Sequence, residues 1–377
     1  MIRAAEGEPV IRTAAVVGTG LIGTSAGLAL SRRGVRVHLI DADESAARVA
    51  AARGAGTVAP PDGPVDLAVI AVPPGLVARV LERHQHAGLA RAYTDVASVK
   101  APTALAVACG APEPDLFVGG HPMAGSERSG PLAARADLFE DRPWILTPGP
   151  ETCPGALNSV LAAVALCGAV PVVMEPHAHD RAVALVSHAP HLVASLMAAR
   201  LGEAPGQELR LAGRGVRDVI RVAGGDPGLW TDIVRSNAPA LVEILRALTK
   251  DLEALTRALH ALEVAGPGAE DAEDALAVLR DLLARGREGW AAVYEPGGGG
   301  PAREVTLTVP LAGRPGEVDR LLHAAEESGI GAEGIRLSWS GASTELSASL
   351  AASPAAAESM RRRLAADGWR VSVAAAR

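Results

Sequence analysis

The chain has 377 residues, 49% hydrophobic and 21% charged, which is enough for two or three buried cores and excludes a disordered chain. Its formal net charge of −7 leaves no electrostatic footprint for nucleic acid and no attraction to an anionic membrane. Cys109, Cys153 and Cys167 are an odd number without metal-ligand spacing, so free thiols in a reducing, cytoplasmic setting are expected, with no metal.

The first residues are acidic and lack an apolar core, so no signal peptide is expected. Over residues 13–174 short apolar runs alternate with Ala/Leu-rich helical stretches. AAVVG, VHLID, LAVIAVP, AYTDVAS, LFVGGHP and WILTP read as buried strands, which predicts a parallel sheet covered by helices across residues 1–176. The uncharged stretch 158–174 is broken by Gly168 and Pro171 and is shorter than the ~20 residues of a membrane span, so it reads as helix then strand. Residues 177–295 lose the strand signals. Their apolar spacing of three and four predicts an all-α domain, apolar enough to bury some faces against a second copy. Residues 296–302 form a Gly-rich linker. Residues 303–377 then read strand, helix, strand, strand, helix, strand, the order of a ferredoxin-like α+β unit.

VVGTGLIGTSAGLAL places Gly18, Gly20 and Gly23 as G-x-G-x-x-G between a strand and a helix. This is the signature of a Rossmann-type doubly wound domain. Gly18 serves the tight turn, Gly20 the close approach of a pyrophosphate, and Gly23 the packing of helix on strand. Leu21 and Ile22 lie in the first helical turn, whose free N–H groups and partial positive charge suit phosphate. Val72, after the third strand, joins the same set. Asp41 ends the second strand about 20 residues past the glycines, where it can accept from both ribose hydroxyls and repel a 2′-phosphate. NAD is therefore expected over NADP. The alternative is a structural turn with a solvated Asp41.

Three further segments look chemical. TDVASVK, residues 94–100, falls at the end of a strand, on the sheet edge where ligands bind. Ser98 there reads either as a site residue or as a helix N-cap. GGHPMAGSERSG, residues 119–130, puts His121 directly after a strand, flanked by glycines and a proline. In HDRAVALVSHAPHLVASLMA, His188 and His191 are three apart on one helical face, with no third ligand at metal spacing.

Taken in order, the glycine loop, DVASVK, GGHPMAGSERSG, HD…SHAPH and GRGVRDVIRVAGGDPGLW resemble the prephenate/arogenate dehydrogenase family, over about residues 13–294. The resemblance implies NAD-dependent oxidation and decarboxylation of prephenate to 4-hydroxyphenylpyruvate, or of arogenate to tyrosine, by a homodimer joined through its helical domain. It makes His121 the acceptor of the ring hydroxyl proton as hydride leaves for the nicotinamide. Ser98 would orient that histidine, and His188, with His191 less directly, would complete the active site. It gives Arg221 the substrate carboxylate, shared with Arg217 one turn earlier, and lines the pocket with Trp230. Lys100 would help attract the anionic substrate. Without the resemblance, Arg217 and Arg221 read as a solvated helix face, Trp230 as packing and Lys100 as a surface residue at a helix start.

Arg214 and Ile220 depart from the family pattern, and an added cation slightly favours the keto acid of prephenate over the ammonium of arogenate. The tail resembles an ACT domain, which implies an aromatic amino-acid effector near Gly313 and Gly316; a dimerising domain without ligand stays open. The rivals are a hydroxyacid or imine dehydrogenase of the same architecture, an amino-deoxyprephenate dehydrogenase, and an NAD-sensing regulator without turnover.

Overall fold

Seven strands follow one another through the first half of the chain: β1 (Thr13–Val17), β2 (Arg36–Ile40), β3 (Leu67–Ile70), β4 (Tyr93–Asp95), β5 (Phe117–Pro122), β6 (Pro143–Pro148) and β7 (Val170–Val173). In the computed structural model they form one sheet in the order β2-β1-β3-β4-β5-β6-β7. The structure describes residues 11–375 except 127, 265–269, 295–304, 312–316, 329, 331–334, 340–345 and 353. Helices α1 (Leu21–Arg32), α2 (Glu44–Ala52), α3 (Val77–His86), α4 (Ala101–Gly110) and α5 (Pro154–Leu166) cover the sheet. The apolar runs of β1 and β3 are buried because helices lie on both faces, so neither strand alternates polar with apolar.

The sheet is mixed, not parallel throughout. β1 to β5 are mutually parallel, β6 runs antiparallel to β5, and β7 is parallel to β6. A parallel neighbour needs a crossover, usually a helix. Between β5 and β6 the described residues carry only the 3₁₀ turn Pro131–Ala133 and no crossover helix, so β6 returns in the opposite direction. The strand order reverses about β1 and β3, and the carboxyl ends of β1, β3, β4 and β5 open onto one edge of the sheet.

The helical region holds α6 (Pro176–Val183), α7 (Ala189–Gly202), α8 (Gly206–Leu209), α9 (Arg214–Ile220), α10 (Pro227–Ser236), α11 (Ala238–Val264) and α12 (Glu270–Tyr294). A π-helical turn, Ala184–His188, joins α6 to α7. Pro190 at the start of α7 has no N–H to close the usual bond four residues back, which accounts for the widened turn. The continuous run Pro176–Gly202 is long and apolar enough to cross a membrane by length and composition. It nonetheless carries His179, Asp180, His188 and His191 as buried polar groups, and they build the cleft described below.

The last elements are β8 (Val305–Leu311), α13 (Glu317–Glu327), β9 (Ile335–Trp339), β10 (Leu346–Ala352), α14 (Pro354–Ala366) and β11 (Ser372–Ala375). Their sheet is antiparallel in the order β11-β8-β10-β9, the split order of a ferredoxin-like unit. Its edge strand β9 lies beside β7, the edge of the first sheet. The linker 296–302, Gly313 and Gly316 lie outside the described residues.

Candidate active site

Gly18 ends β1 with φ +101°, and a Cβ there would stand 2.2 Å from the Ala71 carbonyl oxygen, so only glycine makes this turn. Gly23 lets α1 pack against that turn, since its Cβ would meet the Gly18 oxygen at 1.9 Å. Around Gly20 the space is open within 4 Å. The first N–H groups of α1 have no intrahelical acceptor and no side-chain cap. A bare, uncapped helix start behind an open glycine fits a dinucleotide pyrophosphate. Asp41 sits just past β2, and its Oδ2 accepts from the Thr19 N–H at 2.5 Å and the Thr19 hydroxyl at 2.7 Å. The carboxylate is thereby fixed beside the glycine loop, with lone pairs left for ribose hydroxyls.

A cleft of about 620 Å³ opens at this edge of the sheet. Of the residues singled out in the sequence, Gly20, Leu21, Ile22, Gly23, Val72, Ser98, His121, His188 and Trp230 line it. Ser98 is half-buried and makes no hydrogen bond to His121 among the described residues, nor does it cap α4.

His121 is held from behind. Its Nδ1 is 2.8 Å from Nε2 of His179, and Nδ1 of His179 is 2.8 Å from Oδ1 of Asp180. Asp180 also accepts from the N–H groups of Lys100, at 2.7 Å, and Ala101, at 2.8 Å, where α4 starts. His179 is fully buried. Neither His179 nor Asp180 was singled out in the sequence, although the pair stands inside the HD…SHAPH pattern.

Lys100 is corrected. It is 1% exposed, so it does not greet substrate at a surface. Its ammonium pairs with Asp95 and donates to the Gly120 carbonyl at 2.7 Å. Asp95 Oδ1 accepts from the Gly120 N–H at 2.8 Å. One buried ion pair thus grips both sides of Gly120, the residue before His121. A Cβ on Gly120 would stand 2.5 Å from the Asp95 carbonyl oxygen, which is why the clamp needs glycine. Burial lowers the Lys100 pKa, opposed by Asp95. The apparent surface lysine is explained by DVASVK itself, which folds Asp95 and Lys100 back onto each other.

Burial above all, then His179, Lys100 and His188, pushes the His121 pKa well below the usual imidazole value. Burial likewise lowers His188 to about 4. His188 Nδ1 stands 3.1 Å from the Asn237 side-chain amide, whose nitrogen also donates to the Asp180 carbonyl at 2.8 Å. Trp230 meets His188 edge-on at 6.0 Å and stacks on His191 at 3.4 Å. His191 is buried behind Trp230 and does not line the cleft. Arg217 and Arg221 are exposed outside the cleft lining, and the Nε of Arg217 donates to the Ala212 carbonyl at 3.1 Å. Arg214 is exposed at the start of α9. Arg128 does line the cleft, the one Arg or Lys to do so among the described residues, and it too was passed over in the sequence. Its position in a Gly/Ser-rich loop directly after His121 is the signal that could have found it.

Residues 26–173 match the model described as prephenate dehydrogenase, nucleotide-binding domain, and residues 175–280 match prephenate dehydrogenase, dimerization domain. The probable prephenate dehydrogenase NovF of Streptomyces niveus is 40% identical over 95% of this chain and 99% of its own length. Among solved structures, prephenate dehydrogenase of A. aeolicus, in complex with hydroxyphenyl propionate and NAD+, is 26% identical with a TM-score of 0.63, covering 74% of this chain and 98% of that one. Synechocystis arogenate dehydrogenase is 28% identical with a TM-score of 0.57, covering 74% of this chain and 99% of that one. A glycine-cradled helix start, a half-buried imidazole lining the same cleft, and relatives matching both halves of that cleft place the chain in the prephenate dehydrogenase family.

Proposed function

We propose that this chain oxidises prephenate to 4-hydroxyphenylpyruvate with NAD, releasing the ring carboxylate as carbon dioxide, on the route to tyrosine. The observation that carries this reading is His121, a half-buried imidazole whose pKa its surroundings push well below the usual value, in the same cleft as the first turn of α1. NAD, when bound, supplies the acceptor for the hydride on C4 of the substrate ring. The open glycine and uncapped helix start hold its pyrophosphate, and Asp41 takes the ribose hydroxyls.

His121 takes the proton of the C4 hydroxyl. Breaking the bond from C1 to its carboxylate then leaves an electron pair in the ring, which becomes aromatic, and the resulting phenolate takes the proton back. Ser98 and Trp230 line the same cleft, where Ser98 offers a hydroxyl to the substrate and Trp230 an apolar wall to its ring. Arg128 supplies the local cation that an acidic protein needs to draw a dicarboxylate. Prephenate is favoured over arogenate by the kinship with NovF along nearly the whole chain.

The helical region pairs two copies of the chain. Leu252 is 62% exposed and Leu283 71%, and apolar surface on that scale calls for a covering partner. The C-terminal unit acts as an ACT-like module that takes an aromatic amino acid, a reading supported by its split strand order. Free Cys109 at the surface suits a cytoplasmic setting.

Product analysis tests the assignment. The enzyme, given prephenate and arogenate in separate reactions with NAD, should form 4-hydroxyphenylpyruvate faster than it forms tyrosine. Tyrosine as the only product would move the substrate to arogenate and leave the base in place.

A further inference from the structure

The hydrogen bonds behind the cleft determine which ring nitrogens carry protons. Asp180 accepts from two backbone N–H groups at the start of α4, so its carboxylate is an acceptor there and its Oδ1 faces His179 Nδ1 as an acceptor too. A neutral His179 therefore carries its single proton on Nδ1, which leaves Nε2 bare. The 2.8 Å contact from that bare nitrogen to His121 then requires a proton on His121 Nδ1. The nitrogen of His121 left for the cleft, Nε2, is an acceptor.

The second imidazole follows the opposite logic. The Asp180 backbone carbonyl can only accept, so the Asn237 atom 2.8 Å from it must be the amide nitrogen. The other proton of that nitrogen points to His188 Nδ1, at 3.1 Å. His188 Nδ1 is therefore bare, and its neutral ring carries the proton on Nε2. His188 is thus a donor.

We propose that two buried networks impose opposite tautomers on the two histidines of the cleft: His179 and Asp180 make His121 a proton acceptor at Nε2, and Asn237 makes His188 a hydrogen-bond donor at Nε2. His179, Asp180 and Asn237 are positioning residues, since they act through the two imidazoles. The inference rests on His121 as base and adds what prepares it. When the substrate O–H bond breaks, an N–H bond forms at His121 Nε2. The imidazolium is then stabilised through His179 by the Asp180 carboxylate, and His121 Nε2 returns the proton to the phenolate once the carboxylate has left. No proton needs to leave the site between the two steps. His188, unable to accept at Nε2, does not compete for that proton and offers its N–H to a substrate carbonyl or carboxylate oxygen. The groups facing His121 are His179 and Asp180 from α6, Lys100 and Asp95 from the strand end below, and His188 from the π-turn. Of these only His179 hydrogen-bonds to its ring among the described residues, and Asp180 acts through His179.

Nitrogen-15 spectra of the histidine rings in the NAD-bound wild-type enzyme test the inference directly. Signals are assigned by their loss in His121→Asn and His188→Asn. The expected result is protonated Nδ1 with bare Nε2 for His121, and the reverse for His188. The same tautomer on both rings overturns the proposal. As a kinetic arm, His179→Gln can still accept from His121 Nδ1 but cannot pass charge to Asp180, so kcat should fall about tenfold, a part of the ~10²–10⁴-fold that general-base assistance contributes as a whole, with KM for prephenate little changed. A His179→Gln enzyme with the wild-type kcat and pH profile also overturns it. Full activity in His121→Asn would instead sink the base itself, an outcome these spectra keep separate.

Discussion

On the sheet side of the cleft the polar groups framing His121 are buried and paired, whereas on the helical side Arg217 and Arg221 face solvent and much apolar surface is open. The sheet side is finished within one chain. Asp95 and Lys100 clamp Gly120, Asp180 holds the start of α4, and His179 ties the two together. The helical side has a small buried cluster around Ala184, Ala189 and Leu241, and its long helices leave Leu252, Leu283 and Val293 mostly exposed. The contrast teaches that the groups behind His121 are pre-organised within a single chain, while the helical side leaves much of its apolar surface open.

Lys100→Met attacks the finished side and should have the largest effect. It strands the Asp95 carboxylate in a dry site, and breaking one partner of a buried pair costs about 3–5 kcal/mol. Urea unfolding of the variant should show that loss. The double variant Asp95→Asn, Lys100→Met should recover part of it, and no loss in Lys100→Met would mean that the pair is not buried as described. Asp41→Ser should cut the preference for NAD over NADP about tenfold, roughly 1.4 kcal/mol, in kcat/KM measured with both cofactors; unchanged selectivity would remove Asp41 from ribose recognition. Arg128→Ala should raise KM for prephenate severalfold with kcat nearly constant, an exposed charge contributing about 1 kcal/mol or less. The same change in kcat alone would place Arg128 in the chemistry instead.

The pH dependence sharpens the contrast further. His121 and His188 have lowered folded-state pKa values, His188 to about 4, against about 6.5 in an unfolded chain. The unfolded chain therefore binds more protons between those values. Their contribution to stability is fully present above pH about 6.5 and is lost as pH falls toward 4. The acid limb of kcat should likewise lie below the ordinary imidazole value, because His121 must be neutral to accept. A limb at or above about 6.5 would contradict the lowered pKa of His121.

How much was legible in the sequence follows the same division. The strands and the glycine loop could be read because their signals are local: a short apolar run, a turn that tolerates only Gly18, a helix start. His121 and His188 stood out by their flanking glycines and prolines. The partners that prepare them did not, since His179 lies 58 residues from His121 and meets it only when α6 packs under the end of β5. The direction of β6 was hidden because a loop without a crossover helix looks, in sequence, like any other connection. Lys100 was misread because exposure is a property of the fold, and the π-turn at Ala184–His188 depends on a backbone ladder that composition does not encode. Gly313 and Gly316 lie outside the described residues, so the effector reading rests on resemblance and on the order of the tail strands.

The most direct measurement is NADH formation from prephenate by the wild-type enzyme beside His121→Asn, with NAD binding checked in both. Rapid turnover in the wild type, and a kcat lowered on the order of 10²–10⁴-fold in a variant that still binds NAD, is the predicted result. Equal turnover in the two enzymes, or none from prephenate in the wild type, would contradict the account.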